Sequence, residues 1–405
     1  KGIIESFGIF RTDYQEPIID IADGNPRLAI MATKLAKEEQ NIGALNDVSE
    51  LFEKYFDTFV DDDGEFTKPI NIKCLGLIAF FYTLPYKKQD IIIPILSKFE
   101  IDYQDFIDAI DKLDTLELVE LQYEYVKIPE QNLSTFFFYK AFIENELLSF
   151  ETLLINYFER NKRQFNDTVI PANNMFDPKK VMNKLKPALK KYLIQIENQE
   201  EQAFDFLDTF WYYLPHETLA FLHDKIYSLP NTSVSEYKLT YNNNDYSHSN
   251  NKIIELLSKF FRHTPFINDS LELAFEYTRR SPSDSPELVY KIDKELAFSN
   301  GDERYGYYSQ TTLYDLLLKG LEKDDILLAN LFFQLSKTFL SFEFESIRGG
   351  RGNKVYFGNY PVPNTPLIRE FRKRIWITFD KYFDKYPNQV KDFLGTYPMH
   401  RRHQN

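Results

Sequence analysis

The chain has 405 residues, 43% of them hydrophobic, with 37 Phe, 27 Tyr and only 14 Gly. That is enough apolar side chain for two or three cores, and scarce Gly with long apolar runs favours helices over sheets. The formal net charge of −13 argues against nucleic-acid binding across the whole surface, which needs clustered Lys and Arg, and the single Cys74 excludes an intrachain disulfide and fits a reducing compartment.

Lys1 stands where a start Met would, so the first residues read as the interior of a longer protein whose N-terminal part lies elsewhere. No secretory signal is visible there and no apolar run reaches the roughly 18 residues of a membrane span, so the expected location is cytoplasmic. Lys1 to Tyr14 reads as a linker or the end of a preceding helix, and Tyr14 to Ala22 as a helix with Pro17 in its first turn. A turn follows, Asp23-Gly24-Asn25-Pro26, and then a strongly helical run to about Glu39. Pro26 suits the first helical position, where a missing N–H costs nothing, and Asp23 or Asn25 can accept from the orphan amides of the first turn. Leu28, Ile30, Met31, Leu35 and Ala36 form the expected buried stripe. Arg27 sits at the positive end of this helix, where a cation is unfavourable unless an anion such as phosphate meets it. Val48 to Val60 reads as a further amphipathic helix, with Leu51, Phe52, Tyr55, Phe56 and Phe59 on its apolar face. Asp61-Asp62-Asp63-Gly64 closes it as a solvated turn, since the spacing and bidentate Glu of an EF-hand are lacking.

Residues 67–142 read as a winged-helix-like domain. Ile70 to Leu84, Asp90 to Phe99 (with Asp90 as cap) and Asp102 to Glu117 are predicted helices. Leu118 to Gln122, Tyr125 to Ile128 and Thr135 to Tyr139 are predicted extended segments. The third helix carries Asp102, Asp105, Asp108, Asp111, Asp114 and Glu117 against the single base Lys112. A recognition helix facing phosphates should not be lined with carboxylates, so this module reads as a protein-docking or interdomain element, or a merely solvated acidic face.

From 143 to 405 the pattern is helix after helix: Glu144 to Asn161, a helix from Asp177-Pro178 with Pro187 inside it, Gln199 to Leu214 and His216 to Leu229. An Asn/Ser-rich loop at Asn231 to Asn251 follows, then helices at Lys252 to His263, Asp269 to Arg280, Pro286 to Ser299, Gln310 to Lys319 and Asp324 to Phe342. Leu367 to Tyr386 and Gln389 to Tyr397 close the series. Units of about 30 to 45 residues suit an irregular α-helical array in which each pair buries its face on the next, with a compact bundle as the alternative. Arg348 to Pro366 stands apart, being rich in Gly and Pro with Arg348, Arg351, Lys354, Tyr356, Phe357 and Tyr360 interleaved. It reads as a long loop rather than a small hairpin, and as the first candidate for a partner-binding segment. Arg369, Arg372, Lys373 and Arg374 add a basic helix face beside it. No zinc motif, nucleophile elbow or Gly-x-x-x-x-Gly-Lys-Ser/Thr loop occurs, and His216 and His223, seven apart, read as ordinary packing or surface residues. No catalytic residue and no metal site is expected in this chain.

Gly24-Asn25-Pro26-Arg27-Leu28-Ala29 resembles the Gly-x-Pro segment in the helical lid of STAND-type signalling ATPases. That class of the AAA+ superfamily includes the NB-ARC and apoptotic ATPases and bacterial antiphage sensors. The resemblance covers about residues 15–140, because lid, winged helix and helical array follow one another in the order such a family implies; the array itself is assigned by position and pattern. It implies a mostly α chain of three parts: a lid remnant over 1–66, a winged-helix-like domain over 67–142 and a sensor array over 143–405. It further implies that ATP or ADP, bound by a P-loop domain outside this chain, touches Gly24, Pro26 and Arg27, with Arg27 in the place of a sensor-2 arginine. A protein partner or other macromolecular ligand on the array would release the lid and permit oligomerisation. Two alternatives stand beside it: a helical protein-interaction scaffold with no nucleotide role, and a winged-helix nucleic-acid binder using the Arg348 segment and the Arg369–Arg374 face.

Overall fold

The apolar runs fold as helices almost throughout, so the chain is mostly α with two small antiparallel sheets among the described residues. The computed structural model describes residues 1–22, 26–38, 68–232, 237, 239, 251–299, 301–349 and 355–401. The expected helix Val48 to Val60, the turn Asp61 to Gly64 and nearly all of the Asn231 to Asn251 loop lie outside them. The chain forms two compact units, Lys1–Leu214 and Pro215–Asn405.

The first unit begins with α1 (Gly2–Ser6), α2 (Thr12–Ala22) and α3 (Pro26–Glu38). Helix α2 starts earlier than the sequence suggests, which places Pro17 inside it rather than in its first turn. Helix α3 starts at Pro26 as expected. Among its described side chains Ala29, Ala32, Thr33 and Ala36 are buried, at the i, i+3, i+4, i+7 spacing of one helical stripe, and Ile30 is half-buried; those of Leu28, Met31 and Leu35, also expected in the stripe, lie outside the described residues. Ile4 and Ile18 close on Ala32 and Ala36 to make a small core.

Helix α4 (Pro69–Phe81), strand β1 (Thr83–Leu84), α5 (Gln89–Ser97), α6 (Tyr103–Thr115) and the hairpin β2 (Glu120–Gln122) and β3 (Tyr125–Lys127) follow. Strand β1 pairs with β3 (Leu84 opposite Val126) and β2 with β3 (Leu121 opposite Val126), so three helices and a small antiparallel sheet of order β1-β3-β2 make up this part. Helix α4 stops short of Leu84 because the chain turns at Tyr82, with φ +62°, into β1. Lys88 and not Asp90 precedes α5; Asp90 sits in the first turn, where its charge suits the helix dipole. Asp102 does cap α6, accepting from Gln104 N at 2.7 Å. Phe106, Ile110 and Leu113 are buried and Asp105, Asp108, Asp111 and Asp114 are exposed, as the pattern predicts.

Thr135 to Tyr139, expected to be extended, is helical: α7 (Gln131–Phe138) runs straight into a π-helical turn, Tyr139–Glu144. Leu133, Phe136, Phe137 and Phe138 are all buried, so the segment has no solvent face and its aromatic run carries no helical period. The helix expected from Glu144 is likewise displaced. Glu146 has φ +49°, Ser149 caps the next helix through Thr152 N at 3.1 Å, and α8 spans Phe150–Met175 with a break at Asn161. Helices α9 (Pro178–Gln195, capped by Asp177) and α10 (Glu200–Phe210) complete the unit. Its core is a run of rings: Phe80 lies 4.8 Å from Phe165, Phe158 5.1 Å from Phe206, and Phe206 5.0 Å from Phe210. Trp211 follows α10, its ring 5.9 Å from that of Tyr212.

The second unit comprises α11 (Pro215–Ser228), α12 (Lys252–Ser258), α13 (Ile267–Arg280), α14 (Ser285–Glu295), α15 (Tyr308–Glu322), α16 (Ile326–Phe339), a hairpin of β4 (Glu343–Gly349) and β5 (Val355–Pro361), α17 (Pro366–Tyr382) and α18 (Pro387–Arg401). Helices α11, α13 and α15 form one layer and α12, α14 and α16 a second, each helix packing on its neighbours in both. Helix α17 joins the first layer beside α15, with Arg374 on Asp315 and Lys381 near Glu322. Trp376 on α17 meets Phe379 and, on α18, Phe393 at 5.4 Å. Between α14 and α15, Asp302 accepts from Arg262 Nη1 (2.9 Å), Ser299 N (2.7 Å), Ser299 Oγ (3.0 Å) and Gln310 Nε2 (2.8 Å). The Arg348 segment is a hairpin and not a loop: β4 and β5 pair in register from Glu343↔Pro361 to Gly349↔Val355.

Candidate functional site

A groove of about 840 Å³ in the second unit is lined by α11, α13 and α15, with Asp325 and Leu328 from the start of α16. Its walls are α11 and α15 and its floor is α13. The three helices run parallel. At one end the His216 ring lies 5.0 Å from Phe266, so α11 and α13 start together; at the other, Arg280 Nη1 donates to Tyr227 O at 3.2 Å and Leu229 O at 2.8 Å. Arg262, ahead of α13, meets Asp302, ahead of α15, and Arg279 at the end of α13 meets Asp325 just past α15.

The base is apolar, with Leu219 and Phe275 buried and Leu273, Leu316 and Leu328 half-buried. Gly320 makes this base possible on the α15 side, since a Cβ there would stand 2.3 Å from Leu328 Cβ. The rims are charged and unevenly so. Asp269 and Glu272, two adjacent turns of one face, are exposed at the end where the helices start. Lys319 and Lys323 are exposed on α15 toward the end where the helices finish. None of these four has an ion-pair partner among the described residues. Between them Arg279 is committed, its Nη2 2.7 Å from Asp325 and its Nη1 3.6 Å from Glu276. Glu276 also accepts from Arg280 Nε at 2.7 Å. Tyr227 is held from two directions, with the Arg280 guanidinium 4.6 Å over its ring and His223 stacked at 4.3 Å. Burial, first of all, pushes up the pKa of the Tyr237 phenol, which lies in the field of Arg279, Asp325 and Glu276. The arrangement offers an apolar trough with fixed charges and an aromatic end, suited to holding a polypeptide segment.

The residues singled out from the sequence fare differently. Gly24, Arg351 and Lys354 lie outside the described residues, as do the side chains of Pro26, Arg27, Arg348, Tyr356 and Phe357. Pro26 and Arg27 open α3, and Arg348, Tyr356 and Phe357 take places on the hairpin, where Arg348 is opposite Tyr356. Tyr360 on β5 lies 6.0 Å from Phe344 on β4. On α17 the basic face divides. Arg369 and Lys373 are exposed. Arg372 instead donates to Phe339 O and Ser341 O and lies 5.0 Å over Phe342, and Arg374 joins Asp315 and lies 4.8 Å over Tyr314. Two of its four cations therefore fasten α17 to its neighbours.

The groove was not singled out from the sequence. The available signal was the pair His216 and His223, which do share a face of α11 two turns apart, and the Asp269, Glu272, Glu276 spacing on α13. Each is what any solvated helix face shows; only the packing of three such faces makes a site. Among the described residues no group of three or more His, Cys, Asp and Glu could hold a metal ion, and no helix is long and apolar enough to cross a membrane. No protein-family model, no curated protein and no solved structure matches the chain.

Proposed function

We propose that this chain is the regulatory and ligand-sensing half of a STAND-like nucleotide switch of the kind that includes bacterial antiphage sensors, and that its helical array engages a protein partner. The observation that carries the reading is the order of parts: a helical pair whose second member opens at Pro26-Arg27, then three helices with a small three-stranded sheet, the third helix acidic, then a two-layer array bearing a groove. ATP or ADP held by a P-loop domain outside this chain would meet Gly24, Pro26 and Arg27, where the free amides of a helix start favour phosphate. A partner in the groove would shift the balance between lid-closed and lid-open states, and the open state would oligomerise.

The test is ATP and ADP binding by the intact protein that contains this chain, comparing the unaltered form with Arg27→Ala. Losing one charge-assisted contact to phosphate should weaken binding about tenfold or more. An unchanged affinity, or no nucleotide bound, would remove the switch and leave the protein-interaction scaffold, which the groove and the acidic α6 face support equally. The nucleic-acid alternative has less behind it, because α6 presents carboxylates and Arg372 and Arg374 are engaged within the unit.

A further inference from the structure

The groove is polarised along its length, and the polarity has a direction relative to the helices that build it. Asp269 and Glu272 stand near the helix starts and Lys319 and Lys323 near the helix ends, where Arg279 is already balanced by Asp325 and Glu276. Helix starts carry positive partial charge and helix ends negative, so these four side chains oppose the dipoles of the parallel helices and leave two carboxylates without an ion pair at one end of the trough and two ammonium groups without one, among the described residues, at the other. From Asp269 to Arg279 the trough follows about three turns of α13, roughly 15 Å at 1.5 Å per residue. We propose that the occupant is a short amphipathic helix of a partner protein lying antiparallel to α13, with acidic side chains in its first turn and basic side chains in its last.

Three features select this ligand. The apolar base, Leu219, Leu273, Leu316 and Leu328, takes the apolar stripe of such a helix, and the charged rims require its other side to be polar. The acidic first turn of the incoming helix meets Lys319 and Lys323, and its basic last turn meets Asp269 and Glu272. Antiparallel placement also opposes its dipole to those of α11, α13 and α15. A parallel helix of the same kind would bring like charges together at both ends. The proposal rests on the reading that the array engages a protein partner, and it does not depend on nucleotide.

The experiment uses two fluorescein-labelled 14-residue peptides of one composition, both locked as helices by a side-chain staple. One carries acidic residues in the first turn and lysines in the last; the other has the charges exchanged. Binding to the full chain is read by anisotropy. The first peptide should bind at least tenfold tighter. Lys319→Glu with Lys323→Glu should erase or invert that ratio, and adding Asp269→Lys and Glu272→Lys should invert it fully. The two-residue variant alters exposed side chains only, and its far-ultraviolet circular dichroism should match the unaltered chain. Equal binding of the two peptides, no binding of either, or a ratio that the variants leave unchanged would overturn the proposal. Loss of the nucleotide effect of Arg27→Ala with the peptide ratio intact would instead strike only the switch.

Discussion

Asp302 shows how much one side chain can hold. It is 11% exposed and accepts four hydrogen bonds, one of them from Arg262, whose remaining donors reach Glu295 O and Ala297 O. Asp302→Ala leaves Arg262 and Gln310 short of a partner and should cost about 2 kcal/mol by urea unfolding, since stranding a part-buried charge is worse than never having paired it. Asp13, paired with Arg11 in full solvent, is the contrast: Asp13→Ala should produce no measurable change. Glu144 adds a pH dependence. Burial pushes its pKa up, but hydrogen bonds from Lys140 and Lys180 outweigh that and hold it below the ordinary carboxylate value. A carboxyl lowered on folding stabilises the fold above its unfolded pKa of about 4.3, and that stabilisation is lost as pH falls through the lower folded value. Urea midpoints measured from about pH 5 down to about pH 3 should drop for the unaltered chain and drop less for Glu144→Gln. The pairs Glu144 with Lys180 and Arg262 with Asp302 were not legible in the sequence, because each joins residues far apart in the chain and only the fold brings them together, whereas Lys140 with Glu144 and Arg11 with Asp13 are local pairs.

Regular alternation of buried and exposed residues made some helices legible to their ends, and its lack hid others. Helices α6 and α13 alternate buried and exposed residues, and their extents agree with expectation within two residues at each end. Where α7 meets the π turn, Thr135 to Tyr139 are all buried, so this Phe-rich run resembles a strand until its packing is known. The hairpin after α16 was read as a loop for a different reason. Its strands, Glu343–Gly349 and Val355–Pro361, lack a sustained apolar–polar alternation, and the pair is closed at its base, where Val362 N donates to Phe342 O at 2.8 Å. Close packing at the π turn gives a prediction for this scale. A Cβ on Gly76 of α4 would stand 2.3 Å from Ala141 Cβ. Gly76→Ala should therefore destabilise by about 1–3 kcal/mol, as overpacked cores do. Adding Ala141→Gly should return part of that loss, so the double variant should be more stable than the two single effects summed. Additive effects in chemical denaturation would mean that the two backbones do not approach as described.

At the scale of the whole molecule, composition foretold the fold class and little of the function. Scarce Gly and abundant Phe reflect helical units with ring-filled interiors, in which Phe80, Phe158 and Phe165 serve one unit and Phe332, Phe333 and Phe379 the other. The groove was illegible for a matching reason: it is a property of three helices in parallel, and each contributes only an ordinary polar face. The division into two units has an optical consequence. The chain has 2 Trp, and Trp211 belongs to the first unit while Trp376 belongs to the second. Each indole therefore acts as a private lamp for the interior next to it, Trp211 beside Tyr212 and Trp376 against Phe379 and Phe393. With Trp376→Phe the remaining emission follows the first unit, and with Trp211→Phe it follows the second. Denaturation curves from the two variants should differ in midpoint, because each unit carries its own core; superimposable curves would show the units melting as one.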